Sequence, residues 1–132
     1  MRILWVSLNC LFDNSSGASL SAYTMLQKLS ERGVQVKTLT ATTFDASQGY
    51  EVFHQRFQVG NQNSRFLSFQ DKDIDNLIVN VEKYSVREIG LMELEFFLVK
   101  FKKILREYKP DIVWTYGGSF FDVILRSVAH GY

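Results

Sequence analysis

The chain has 132 residues, of which 15 are basic and 14 acidic, and 46% of them are hydrophobic. One cysteine excludes an intrachain disulfide framework, and a net charge of +1 excludes the strongly basic surface of a dedicated nucleic-acid binder. The length fits one domain that can bury roughly two-thirds of the surface its unfolded chain exposes. We therefore expect a single globular domain of the cytoplasm that binds no nucleic acid.

The first 40 residues predict a strand, a helix and a second strand. Residues 3–6 form a continuous apolar run, which is typical of a strand buried on both faces. Residues 9–17 are rich in turn-forming types, and apolar residues then recur at helical spacing until Gly33, which marks the end of the helix. Another apolar strand begins at Val34. We expect a βαβ unit with parallel strands and a right-handed crossover.

The middle of the chain is less regular. In residues 50–59, Phe53, Phe57 and Val59 lie on one alternating face, which predicts a strand, and residues 66–69 are a further strand candidate. In residues 73–84 the apolar positions follow the spacing i, i+3, i+4, i+7, which predicts a helix.

The last third predicts a long helix, a strand and a final helix. Ser85 and Glu88 have the spacing of a capping box, which starts a helix, and Pro110 prevents that helix from continuing. Residues 111–115 predict a buried strand and residues 120–129 a helix. Alternating strands and helices predict an α/β fold with a doubly wound, mostly parallel, Rossmann-like sheet.

Ligands on such a sheet bind outside the carboxyl ends of the strands, where the strand order reverses. Two loops are expected there. One is residues 9–18, where Ser16 and Gly17 lead into a helix N-terminus, a place that favours anions, although an ordinary N-cap with a flexible turn explains the same residues. The other consists of Tyr116, Gly117, Gly118 and Ser119.

Several kinds of site are disfavoured. The first loop has one of the three glycines of a dinucleotide fingerprint, and the sequence has no Gly-Lys-Ser/Thr phosphate motif. His54 and His130 lie in different elements, with no cysteines or carboxylates at ligand spacing, so we expect no metal and no bound cofactor. Cys10, among apolar neighbours, indicates packing. The hydroxyl-rich turn of residues 14–19 leaves flavin mononucleotide open as an alternative ligand.

The end of the long helix is rich in cations. These are Lys100, Lys102, Lys103, Arg106 and Lys109. One interpretation is a solvated face whose positive charge complements the dipole of the last turn. The other is a peripheral contact with anionic lipid or with a phosphate-bearing acceptor.

Both ends of the sequence resemble a known enzyme family. Residues 1–7, the Ser16-Gly17 loop and residues 26–40 are similar, in this order, to the start of a GT-B glycosyltransferase of the family 4 type, including its phrase of the form "L…RGHEVTVLT". Residues 109–117, KPDIVWTYG, resemble the family's later "KPDVVHAHG" strand and loop. The resemblance leaves residues 44–84 uncovered.

The resemblance implies an enzyme that transfers a sugar from a nucleotide-sugar donor to an acceptor between two domains. Residues 1–132 would be a truncated N-terminal, acceptor-side domain, inactive without its own C-terminal, donor-binding domain. Ser16 and Gly17 would lie near the donor phosphates, with serine standing where the family has a second glycine. Tyr116, Gly117, Gly118 and Ser119 would lie on the acceptor side, and His130 does not match the family's catalytic histidine. The alternative is a stand-alone flavodoxin-like domain that binds a phosphate or nucleotide, or a protein partner.

Overall fold

A computed structural model describes residues 1–44, 46–57, 66–81, 89–116 and 120–131. Its elements, in chain order, are β1 (Arg2–Val6), α1 (Gly17–Glu31), β2 (Gln35–Ala41), α2 (Ser47–Phe57), β3 (Phe66–Asp71), β4 (Ile74–Val79), α3 (Leu91–Tyr108), β5 (Ile112–Thr115) and α4 (Phe120–His130). None of the helices within these ranges is both long and apolar enough to cross a membrane.

The five strands form one mixed sheet in the order β3-β4-β2-β1-β5. The neighbours β4-β2, β2-β1 and β1-β5 are parallel, and only β3 runs antiparallel to its partner β4. A two-residue turn joins β3 to β4, with Lys72 in the left-handed region at φ 56°. The chain is thus an α/β protein whose mostly parallel sheet is flanked by helices.

The predicted βαβ unit is confirmed. β1 pairs in parallel with β2, from Arg2 opposite Gln35 to Val6 opposite Leu39. Helix α1 ends just before Gly33, the residue that was predicted to end it. Gly33 has a φ of +90°, which a residue with a side chain adopts only with strain. The next strand can therefore begin within two residues of the turn.

Alternate residues of the central strands pack against helices on opposite faces of the sheet. Leu4 and Val6 of β1, with Leu39 of β2, belong to a core cluster that includes Phe97 and Phe101 of α3. The positions between them belong to a second cluster with α1, formed by Trp5, Val36, Ile74, Leu11, Tyr23 and Leu26. Because successive strand residues point to opposite faces, α1 and α3 cover opposite faces of the sheet.

The strand predicted over residues 50–59 is wrong, since residues 47–57 form helix α2. Phe53 is buried, and its ring lies 5.3 Å from that of Phe44 on the face also occupied by Ile78. A spacing of four residues, as between Phe53 and Phe57, is compatible with one face of a strand and also with one face of a helix. The pattern therefore could not distinguish the two.

The helix predicted over residues 73–84 is also wrong. Residues 74–79 form β4, with Ile74 and Ile78 buried on the face of α1 and α2, and Val79 on the face of α3. A strand buried on both faces carries apolar residues at nearly every position, so it also satisfies helical spacing. The predicted helix start at Ser85 and Glu88 lies outside the described residues, and the described helix α3 begins after its N-cap Gly90.

Candidate functional site

The two predicted loops leave the sheet side by side. β1 lies between β2, the next strand along the chain, and β5. The strand order therefore reverses between β1 and β5. Ser7, directly after β1, donates its hydroxyl to the backbone oxygen of Tyr116, directly after β5, at 3.2 Å. A crevice at the reversal of strand order is where ligands bind on open α/β sheets. Gly117, Gly118 and Ser119 lie outside the described residues, so Tyr116 alone represents the second predicted loop.

The first loop leads into the N-terminus of α1. Ser16 is the N-cap, and its hydroxyl oxygen accepts a hydrogen bond from the backbone N–H of Ser19 at 3.1 Å. Gly17 is the first helical residue, is exposed, and has no heavy atom within 4 Å of the position a Cβ would take. The space beside Gly17 is therefore open to a ligand.

Most polar groups around this N-terminus already form hydrogen bonds within the protein. The hydroxyl of Ser15 donates to Asp13, and that of Ser19 donates to the backbone oxygen of Cys10 at 3.0 Å. Within the described ranges, the backbone N–H groups of Gly17 and Ala18 are the first-turn donors that have no protein acceptor. An anion at this end of α1 would bind chiefly to these two groups and to the helix dipole.

Asp13 fixes the loop against the start of α2. Its side chain is buried, with 2% of its surface exposed, and accepts from the backbone N–H of Ser15 at 2.9 Å. A Cβ on Gly49 would lie 2.1 Å from Asp13 Oδ1 and 2.6 Å from Ser15 Oγ. Glycine at position 49 is thus what allows α2 to approach the loop so closely.

We expect Gly49→Ala to lower the free energy of unfolding by about 1–3 kcal/mol, because the added methyl group overlaps a buried, hydrogen-bonded carboxylate. Gly17→Ala is the matched control, since its methyl group meets no atom and alanine favours the helix by up to about 1 kcal/mol. Urea denaturation of both variants measures the difference. Equal midpoints would show that α2 does not approach the loop as described.

An aromatic wall forms the β5 side of the crevice. The ring of Tyr116 stacks on that of Trp5, with centroids 5.9 Å apart and planes at 20°, while Trp114 packs against Trp5 at 5.8 Å. Tyr116 is 47% exposed and Trp114 38% exposed, whereas Trp5 is buried and its indole N–H has no hydrogen-bond partner in the structure. Such exposed rings can stack on a flat or apolar ligand face.

Sequence reasoning included Tyr116 in the site but missed the two tryptophans. Trp5 and Trp114 occupy paired positions of the parallel strands β1 and β5. Each is the third residue of an apolar run, so aligning the two runs as neighbouring strands would have paired the two tryptophans. The run of β5 is partly exposed rather than buried as predicted, because β5 lies at the edge of the sheet. The alignment itself depends on the strand order, which the sequence does not state.

Cys10 has the structural role that its neighbours predicted. It is fully buried, and desolvation by burial raises the pKa of its thiol from 9.0 to about 12. A thiol that stays protonated at neutral pH is a poor nucleophile. The geometry therefore gives Cys10 no part in covalent catalysis.

We expect Cys10 to react with a thiol reagent at pH 8 only as fast as the chain opens. Because its folded pKa is higher than its unfolded pKa, burial of the neutral thiol stabilises the fold below about pH 9, and this contribution falls between pH 9 and pH 12. Thiol-reagent kinetics at increasing urea, and urea midpoints across that pH range, measure both effects. A rapid stoichiometric reaction of the native chain would contradict the buried position.

Neither histidine belongs to the two loops that border the crevice. His130 is exposed in the last turn of α4, and His54 belongs to α2 rather than to the predicted strand. In the described portion of the chain, no three His, Cys, Asp or Glu side chains are grouped so as to hold a metal ion.

Comparisons of the chain with protein-family models, with curated proteins and with solved structures found no match.

Proposed function

We propose that this chain is the acceptor-side, N-terminal domain of a glycosyltransferase of the GT-B type, with a doubly wound Rossmann-like sheet. The parent enzyme would transfer a sugar from a nucleotide-sugar donor to an acceptor. Two parts of the chain, within residues 1–40 and at residues 109–117, resemble motifs of this family. They contain the strands β1, β2 and β5, which are neighbours in the sheet.

One observation carries the proposal more than any other. The hydrogen bond from Ser7 to Tyr116 joins the loops that follow β1 and β5, which are 109 residues apart in the chain. The two segments that resemble the family thus border one crevice at the carboxyl end of the sheet. A crevice at this position is where open α/β sheets bind their ligands.

The two sides of the crevice differ chemically. On the α1 side, Ser16 and the free backbone N–H groups of Gly17 and Ala18 form an electropositive helix end, which suits donor phosphates. On the β5 side, the exposed ring of Tyr116 suits the acceptor. The carboxylate of Asp13 in the first loop is buried and hydrogen-bonded to the backbone N–H of Ser15. We therefore expect the chain alone to transfer no sugar and to require its own C-terminal, donor-binding domain.

A titration followed by amide NMR tests the donor side. With a uridine diphosphate sugar, we expect weak, millimolar binding that shifts the amide signals of Gly17 and Ala18. Gly17→Leu is expected to abolish the shifts while the chain stays folded, because no other residue has an atom within 4 Å of the position that its Cβ would take. Leu20→Ala, an exposed position one turn further along α1, is the control and should bind as the unmodified chain does.

Two results would contradict the proposal. If no nucleotide sugar shifts the signals around Gly17, the donor side is misplaced. If flavin mononucleotide binds with micromolar affinity at the same loop, the stand-alone flavodoxin-like alternative replaces the glycosyltransferase. The internal hydrogen bonds of Ser15 and Ser19 weigh against flavin, because those hydroxyls are already donated to protein oxygens.

A further inference from the structure

One face of β5 is open to solvent, whereas the same face of its neighbour β1 is covered. Ile112 and Trp114 of β5 pair with Ile3 and Trp5 of β1, so the four side chains lie on the face of the sheet that carries α1. Ile3 and Trp5 are buried, but Ile112 is 43% exposed and Trp114 is 38% exposed. Helix α1 thus covers β1 and leaves open the strip of β5 that leads to Tyr116.

The ring of Tyr116 is held in place at the end of this strip. It stacks at 20° on the buried ring of Trp5, which turns one of its faces toward the indole. The 47% of Tyr116 that is exposed therefore belongs chiefly to the other face and the rim of the ring. Its backbone oxygen accepts from the hydroxyl of Ser7 at 3.2 Å. A ligand that stacks on Tyr116 meets a ring already in position, which lowers the entropic cost of binding.

A side-chain amide without a protein partner lies at the same end of the crevice. The backbone N–H of Asn9 donates to the hydroxyl of Ser7 at 3.1 Å, and that hydroxyl donates in turn to Tyr116. Asn9 is half-buried, and no described residue forms a hydrogen bond with its side chain. Its amide therefore keeps two donors and an acceptor oxygen for a ligand.

We propose that the aromatic wall and Asn9 bind an uncharged saccharide. The face of a pyranose ring presents C–H groups, which the negative face of an aromatic ring attracts. The rim of the pyranose presents hydroxyls, to which an amide can donate and from which it can accept. A purely apolar partner would instead bury the Asn9 amide without a hydrogen bond, which is unfavourable.

The size of the wall suits an oligosaccharide. Trp114 and Tyr116 are two residues apart, about 6–7 Å along an extended chain, so neighbouring sugar rings can contact both side chains. Under the proposed function, on which this step alone rests, the saccharide is the acceptor and supplies the hydroxyl that receives the transferred sugar.

Intrinsic fluorescence tests the proposal, because the only two tryptophans of the chain, Trp5 and Trp114, both belong to the wall. We expect at least one of cellotetraose, maltotetraose and mannotetraose to protect Trp114 from quenching by acrylamide, with a millimolar dissociation constant. Tyr116→Ala should weaken this binding about 3- to 10-fold through lost stacking, and Asn9→Ala by a similar factor through a lost hydrogen bond.

Two further variants separate stacking from a general disturbance. Tyr116→Phe keeps the ring and should restore the binding that Tyr116→Ala loses. Met92→Ala, which truncates an exposed side chain of α3 on the opposite face of the sheet, should leave the dissociation constant unchanged. Urea midpoints show that each variant is folded. Asn9→Ala removes no side-chain hydrogen bond among the described residues, so it serves as the test if Tyr116→Ala unfolds.

Four results overturn the proposal: no protection by any of the three saccharides, equal protection by uridine alone, unchanged binding in Tyr116→Ala and Asn9→Ala, or protection that rises with chain concentration without ligand. The last would assign the wall to a second copy. Saccharide binding without any shift of Gly17 and Ala18 by a nucleotide sugar would support this inference and contradict the glycosyltransferase. A nucleotide-sugar shift without saccharide binding would contradict this inference alone.

Discussion

Phe101→Ala is expected to lower the free energy of unfolding by about 3–5 kcal/mol. Phe101 is fully buried in the middle of α3, in the core cluster that also contains Leu4 and Leu39 of the central strands. Truncation removes the transfer free energy of the ring and leaves a cavity that the rigid sheet cannot collapse to fill. A domain of this size has a total stability of roughly 5–15 kcal/mol, so the variant loses a large fraction of it.

Val99→Ala on the same helix is the control for this prediction. Val99 is 62% exposed, so its truncation should change the free energy of unfolding by no more than about 0.5 kcal/mol. Urea denaturation followed by circular dichroism compares the two variants directly. If Phe101→Ala is no more damaging than Val99→Ala, α3 does not pack on the sheet through the stripe described.

Asn76→Leu is expected to cost about 2–3 kcal/mol, because Asn76 is the centre of a buried polar network. Its side-chain oxygen accepts from the hydroxyl of Thr38 at 2.6 Å, and its amide donates to the hydroxyl of Tyr23 at 3.2 Å. Tyr23 in turn donates to Asp71 at 2.7 Å. The network joins α1 to β2, β3 and β4, and leucine leaves the buried hydroxyl of Thr38 without an acceptor.

A second substitution separates the effect of the lost hydrogen bond from the effect of changed side-chain packing. Thr38→Val in the Asn76→Leu background removes the orphaned hydroxyl, and should restore about 1 kcal/mol or more of the free energy of unfolding. The four chains of this double-mutant cycle are compared by urea midpoint at constant pH. Additive losses would mean that Thr38 and Asn76 do not interact.

The parts of the fold with one strong local signal were predictable. The apolar run of β1, the turn-rich loop, the helix ending at Gly33 and the strand that follows are all present in the predicted order. The long helix before Pro110 was predicted as well, and Leu94, Phe97 and Phe101 are buried along one side of it. These elements have consistent periodicity, and their limits are set by residues with special backbone preferences.

The middle of the chain was not predictable in the same way. Helix α2 was taken for a strand and β4 for a helix, because their apolar spacings fit both periods. Whether such a segment forms a helix or a strand depends on the elements that pack around it. β4 is inserted between β2 and β3, where its backbone groups are paired on both edges, and α2 lies over it through Phe53.

The sequence by itself determined the α/β class, the βαβ start and the positions of the two candidate loops, because each depends on interactions within a few residues. Tertiary structure decided the strand order, the antiparallel β3, and the meeting of Ser7 with Tyr116 across 109 residues. It also decided that Trp5 and Trp114 pack against each other, and that the hydroxyls of Ser15 and Ser19 donate to protein oxygens. These features arise from long-range packing and hydrogen bonding, which no local pattern of residues encodes.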